Sequence, residues 1–132
     1  MTPRNVRNNN PCNVEADELD WLGLADPPTD GPYLVFKDPK YGFRAAARCV
    51  LTDYRHGKTT TRLLITSWAP PSENDTEAYV TNVSEDLAQD PDATLALPGQ
   101  LLPLLKAMAK QEGGCPWADS VIEQGIALEQ SG

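Results

Sequence analysis

The chain has 132 residues and a net charge of −8, from 19 acidic and 11 basic side chains. This length and a hydrophobic content of 40% predict one folded domain, residues 1–132, that needs neither disulfides nor a metal for stability. The negative charge argues against nucleic-acid and anionic-membrane partners, because both carry negative charge themselves.

Cofactor and export signals are missing from the sequence. The three cysteines (Cys12, Cys49 and Cys115) and the single histidine lack the close spacing of metal ligands, so we expect no metal site and no cofactor. No apolar run approaches the roughly 20 residues of a membrane span. Residues 1–10 are polar, so we also expect no signal peptide.

The first forty residues predict a loop-rich region with short strands. Six of the twelve prolines fall here, and they exclude a long helix. The apolar run Tyr33-Leu34-Val35-Phe36 lies between turn residues, which is typical of a strand. We expect this strand to pair with residues 19–24 in a small hairpin.

Residues 41–132 predict helices. Apolar residues recur every three or four positions between Phe43 and Tyr54, the period of an amphipathic helix. Four further helices are expected: a short one capped by Thr59 or Thr60, one capped by Asn74 or Asp75, one over residues 101–111, and one that begins with a capping box at Ser120 and Glu123. The predicted fold class is mainly α, a single small domain of about five helices with a short N-terminal β-hairpin.

Glu112 is the candidate with the clearest chemical reason behind it. It ends an apolar helix and precedes two glycines. The partial negative charge of a helix C-terminus disfavours a second negative charge, and partial burial also raises a carboxyl pKa. A carboxyl that keeps its proton can act as a general acid, as glycosidic bond cleavage requires. The alternative is a solvated helix end at which the glycines only terminate the helix.

Two segments rich in Asn, Pro and Trp are candidates for ligand binding. The first is Asn10-Pro11-Cys12-Asn13-Val14, and the second runs from Trp68 to Tyr79, with two prolines that fix a rigid loop. Amide side chains can donate and accept hydrogen bonds with sugar hydroxyls, and aromatic rings can stack on a sugar face. The structural alternative is Asx turns at Asn10 and Asn13 around Pro11, Trp68 in the core, and Asn74 or Asp75 as a helix cap.

These segments, taken with Trp21-Leu22-Gly23 and Tyr41-Gly42-Phe43-Arg44-Ala45, resemble a family of small tailed-phage and prophage proteins described as virion-associated structural proteins. The family pattern includes N-P-x-N-I, W-x-G, G-I-R-A and W-A-P-x-x-E-N-x-T-x-x-Y, and the match covers residues 8–88. Cys12 and Phe43 depart from it, where the family has Gly and Ile. The resemblance implies a virion protein made in the bacterial host cytoplasm, with other virion proteins as partners.

A second resemblance concerns the helix end from Ala107 to Gly114. It is similar to the catalytic helix of lytic transglycosylases and related lysozyme-like enzymes, and Asn13-Val14 and Tyr79-Val80 resemble further segments of those enzymes in permuted order. This implies a lysozyme-like, circularly permuted fold that cleaves peptidoglycan glycan, with Glu112 as proton donor. The implied site then has Glu73 or Asp75 as a second carboxylate, and Asn13, Trp68, Asn74, Asp75 and Tyr79 against the glycan.

The sequence therefore leaves three functions open. The leading hypothesis is a phage muralytic protein that acts through Glu112. The rival is a non-enzymatic structural or adaptor component of the virion, and the third is a small acidic inhibitor of a host defence protein. The first two differ in geometry, because an enzyme requires Glu112 in an open groove near Asn74 or Tyr79.

Overall fold

A computed structural model describes all of residues 1–132 as six helices and one two-stranded hairpin. The elements in chain order are α1 (Arg4–Arg7), β1 (Leu24–Asp30), β2 (Tyr33–Phe36), α2 (Pro39–Arg55), α3 (Thr61–Trp68), α4 (Thr76–Leu87), α5 (Leu101–Glu112) and α6 (Asp119–Ser131). Five longer helices and an N-terminal hairpin confirm the mainly α prediction. None of the helices combines the length and the apolar character needed to cross a membrane.

Helix α2 carries the apolar face that the sequence predicts. It begins at Pro39 rather than at residue 41, because the Asp38 side chain accepts from the Lys40 amide and Pro39 suits the first helical position. Its buried side chains pack mainly against α6. The two helices approach closely where a Cβ at Gly125 would overlap Phe43, so a larger residue there would push them apart.

The other helices close the core around α5. Helix α4 packs against both α3 and α5, and α5 also contacts α6 and α2. Pro103 is tolerated because it lies in the first turn of α5. The predicted caps Thr60 and Asp75 are confirmed: their side chains accept from the amides of Leu63 and Ala78.

The hairpin differs from the prediction in its first strand. β2 pairs with Leu24–Asp30, so only Leu24 of the expected strand, residues 19–24, belongs to the hairpin. The cause is Asp17, whose carboxylate accepts from the Leu19 amide and from the Trp21 indole and so holds these residues in a separate loop. Gly23 then turns the chain at a φ of 80°, and the strand begins after it.

Two helix starts also differ from the prediction. The capping box at Ser120 is wrong: α6 begins at Asp119, its N-cap is Ala118, and no side chain caps it. Asp119 instead places a negative charge in the first turn, which the helix dipole favours. Helix α1 was not predicted, because four residues are too few to show a period.

Candidate functional site

Asparagine side chains replace regular secondary structure in the N-terminal region. Asn10 is fully buried, and its amide donates to the carbonyls of Val14 at 3.0 Å and Leu34 at 2.9 Å. Its side-chain oxygen Oδ1 accepts from the Val14 backbone amide at 2.9 Å. A buried backbone group without a partner costs about 1–3 kcal/mol, so Asn10 supplies what a strand partner would supply elsewhere.

Asn5 joins this region to the end of α5. It is fully buried, and its amide nitrogen donates to the carbonyls of Pro11 at 3.0 Å, Ala109 at 3.2 Å and Gly114 at 2.9 Å. A Cβ at Gly113 would overlap the Asn5 side chain. Gly113 is therefore required for close approach, and Asn5 fixes the last turn of α5 against the loop that carries Asn13.

Glu112 is held by hydrogen bonds to both carboxylate oxygens. Asn13 donates from Nδ2 to Oε1 at 2.9 Å, and the Tyr79 hydroxyl donates to Oε2 at 2.9 Å. Asn13 adopts a φ of 52°, a left-handed conformation that asparagine tolerates better than most residues. Asn13 belongs to the N-terminal loop, Tyr79 to α4 and Glu112 itself to α5. Three separate segments therefore meet at one half-buried carboxyl.

Burial raises the pKa of Glu112 above its ordinary value. The hydrogen bonds from Asn13 and Tyr79, and the charge of Arg4, act in the opposite direction but do not reverse the shift. The pKa of Tyr79 is raised well above its usual range, first by burial and then by the charge of Glu112, so its hydroxyl remains a donor. This carboxyl therefore keeps its proton to a higher pH than a solvated glutamate does.

Glu112 lines an open groove of about 800 Å³. This volume is within the range of about 300–1,000 Å³ that is typical of ligand sites. Trp68 lies on the wall, where its indole nitrogen donates to the Cys12 carbonyl at 3.2 Å and leaves part of the ring exposed. Tyr33 is a second aromatic residue of the lining, and the Arg4 guanidinium lies 4.6 Å from its ring centroid.

Most of the candidate residues from the sequence meet in this groove. Five of them line it: Glu112, Glu73, Asn13, Trp68 and Asn74.

The other two candidates lie elsewhere. Tyr79 is only 8% exposed and lies behind Glu112, where it acts as a hydrogen-bond donor and has no free ring face for a sugar. Asp75 caps α4 and is not part of the lining.

Several lining residues were not singled out in the sequence. Three additional carboxyl groups line the groove, those of Glu15, Asp17 and Asp53, and no lysine or arginine does. They lie in the N-terminal loop and on the exposed side of α2. Acidic residues are common at such positions, so their residue type alone does not indicate a binding site. Despite this acidity, no group of three or more His, Cys, Asp or Glu side chains has an arrangement that could hold a metal ion.

Comparison with known proteins gives one informative match. No family model matches the chain. The sequence is 36% identical over 85 residues to Protein P5 of Pseudoalteromonas phage PM2, and the aligned region covers 61% of this chain and 53% of that protein. The chain thus spans about half the length of the relative it matches. What the comparison establishes is similarity to a phage protein.

Proposed function

We propose that this chain is a virion-associated phage protein that cleaves the glycan strands of peptidoglycan, with Glu112 as the general acid. The observation that carries the proposal is a carboxyl with a raised pKa at an open groove of ligand size. The match to a phage protein supports the virion setting. The resemblance of the α5 end to lysozyme-like catalytic helices supports the reaction, as an analogy.

The first step is proton donation from Glu112. Its carboxyl protonates the glycosidic oxygen, the bond from that oxygen to the sugar C1 breaks, and positive charge develops on the ring. Asn13 and Tyr79 already donate to the two oxygens, so they stabilise the carboxylate that remains. Because the two donors belong to different segments, they also hold the carboxyl in one orientation.

The second step distinguishes a hydrolase from a transglycosylase. In the first, Glu73 removes a proton from an attacking water. In the second, the 6-hydroxyl of the same sugar attacks C1 and returns its proton to Glu112, which leaves an anhydro sugar and consumes no water. A carboxylate that activates a water lies about 6.5–9.5 Å from the proton donor, which leaves room for that water. Glu73 lines the same groove as Glu112, so the site can be tested for both courses.

The groove also suggests which glycans enter it. Trp68 offers a partly exposed ring for stacking, and the exposed side chain of Asn74 offers an amide group for sugar substituents. The surrounding carboxylates make the groove negative, so uncharged or amine-bearing glycans enter more readily than glycans rich in free carboxylates.

A zymogram and a turbidity assay on purified peptidoglycan test the proposal. We expect Glu112→Gln to reduce clearing by about 100-fold or more, the usual effect of removing a general acid. The matched control is Glu123→Gln, an exposed glutamate of α6, which should clear like the unchanged protein. Equal clearing by Glu112→Gln would contradict the assignment.

Glu73→Gln separates the two reaction courses. A transglycosylase should retain most of its activity in this variant, because Glu73 takes no part in the intramolecular attack. Mass spectrometry of the products gives the same answer independently. Anhydro ends indicate a transglycosylase, and reducing ends that contain one additional water indicate a hydrolase.

One observation favours a second function, a structural or adaptor protein of the virion. Both oxygens of Glu112 are bonded inside the protein, so the residue also links the N-terminal loop to α5 and α4. On this hypothesis the unchanged protein clears no peptidoglycan, and a chitooligosaccharide leaves the NMR signal of the Trp68 indole unshifted. Glu112→Gln would then alter only thermal stability.

A further inference from the structure

Two exposed leucines mark a second surface. Leu19 is 64% exposed and Leu22 is 48% exposed, so two of the four exposed large apolar side chains of the protein lie within four residues of one another. Both line a depression of about 410 Å³, and the buried residue Trp21 lies between them in the chain. We call residues 19–22 the leucine loop. None of its residues lines the Glu112 groove.

The leucine loop is held in this conformation by specific contacts. The Asp17 carboxylate accepts from the Leu19 amide and from the Trp21 indole, each at 2.9 Å. After the loop, Gly23 lies against the Tyr41 ring so closely that a Cβ would overlap it. The leucines are therefore presented by a preorganised loop, and preorganisation reduces the entropy cost of association.

Two arginines of α2 line the same depression. Arg48 forms an ion pair with Glu129 at 3.3 Å. Arg44, one turn earlier, forms no ion pair, and its Nε is buried without a hydrogen-bond partner. Burial and the charge of Arg48 both lower the pKa of Arg44. A carboxylate from a binding partner would pair with the Arg44 guanidinium and offset the repulsion from Arg48.

The leucine loop itself supplies carboxylates of this kind. Asp20 lines the depression, and Glu18 directly precedes the loop; both are exposed, and neither forms an ion pair within the chain. One surface thus carries apolar, acidic and basic groups side by side. A surface with both members of each complementary pair can bind a copy of itself across a two-fold axis.

We propose that this surface binds a second copy of the chain. Leu19 and Leu22 of each copy pack together, and the Asp20 carboxylate of each copy pairs with Arg44 of the other. The apolar contact supplies most of the affinity, and the charge pairs fix the two-fold arrangement. The proposal is independent of the Glu112 reaction, since it uses a different surface and needs no substrate.

Sedimentation equilibrium of the full chain tests the association. We expect a monomer–dimer equilibrium, and the double variant Leu19→Ser with Leu22→Ser should weaken it at least about tenfold. Leu63→Ser is the matched control, because Leu63 is 50% exposed on α3 and outside the depression. A monomer at every concentration up to about 1 mM would overturn the proposal, as would an equal effect of Leu63→Ser.

A charge exchange between two chains tests the arrangement. Arg44→Glu places two negative groups opposite one another in a homodimer, and Asp20→Arg places two positive groups there, so each variant alone should be monomeric. When the two variants are mixed, both charge pairs are restored with reversed sign, and a heterodimer should form. Failure of the mixture to associate, with both variants folded by circular dichroism, would refute the two-fold pairing.

Discussion

Residues 1–40 and residues 41–132 are stabilised by different interactions. Of the 24 residues in the apolar core, five precede residue 41: Cys12, Val14, Trp21, Leu34 and Phe36. The remaining core residues lie in the helical region, and all of them except Ala69 and Leu95 belong to its helices. The N-terminal region relies on asparagine amides that bind backbone carbonyls, whereas the helical region satisfies its backbone within its own helices.

The two regions should therefore differ in how well they tolerate substitution. An apolar core tolerates exchange among side chains of similar volume. A buried amide that bonds three backbone groups tolerates fewer substitutions, because an apolar replacement removes all three hydrogen bonds at once. The proposed proton donor lies where the two regions meet, at the end of a core helix but held by an N-terminal asparagine.

The largest effect is expected in the helical region. Leu104→Ala removes a fully buried side chain from α5 and should cost about 3 kcal/mol of unfolding free energy, through lost burial and a cavity. The measurement is urea unfolding followed by circular dichroism. Leu63→Ala is the control, since that leucine is half-exposed and should change stability by less than about 0.5 kcal/mol. Similar losses for the two would mean that burial does not dominate here.

Periodicity explains why the helical region was predictable. The apolar spacing of α2, the caps Thr60 and Asp75, and the extent of α5 all followed from local sequence. These features depend on residues within a few positions of one another. The position of the first strand depended on Asp17, whose contacts with Leu19 and Trp21 no local pattern indicates, so only Leu24 of the predicted strand pairs with β2.

The candidate site was predictable in its residues but not in its connections. Glu112, Asn13 and Trp68 were identified from residue type and resemblance, and the structure brings them to one groove. Asn5 was not identified, because an asparagine in a polar N-terminal segment looks solvated until the chain is folded. Two of its three bonds, those to Ala109 and Gly114, join positions more than a hundred residues apart, which sequence spacing cannot reveal.

Asn5→Ala should have an intermediate effect and disturb the site. It leaves three backbone carbonyls without this donor and should cost about 2 kcal/mol. Loosening of the α5 end would expose Glu112 more, so its pKa should fall towards the ordinary value. The measurements are urea unfolding and a ¹³C NMR titration of the Glu112 carboxyl.

Asn8→Ala is the control for that variant. Asn8 is also a buried asparagine of the N-terminal region, but its amide donates to the Asp30 carboxylate instead of to α5. It should destabilise the chain without moving the Glu112 titration. If both variants moved the titration equally, general loosening rather than the Asn5 contacts would control the carboxyl.

Tyr79→Phe should have the smallest effect on stability and the opposite effect on the carboxyl. Folded Glu112 holds its proton more tightly than an unfolded glutamate does, so stability falls as the pH rises from the unfolded pKa through the folded one. The Tyr79 hydroxyl bonds to the charged form and limits this loss, so its removal should raise the Glu112 pKa further. We expect a loss of about 1 kcal/mol at pH 7 and a smaller loss near pH 3.5, where the carboxyl is neutral.

Tyr54→Phe is the control, because its hydroxyl donates to the uncharged Leu95 carbonyl at 2.7 Å and its loss should not depend on pH. A pH-independent loss for Tyr79→Phe as well would show that Tyr79 stabilises the fold without acting through Glu112.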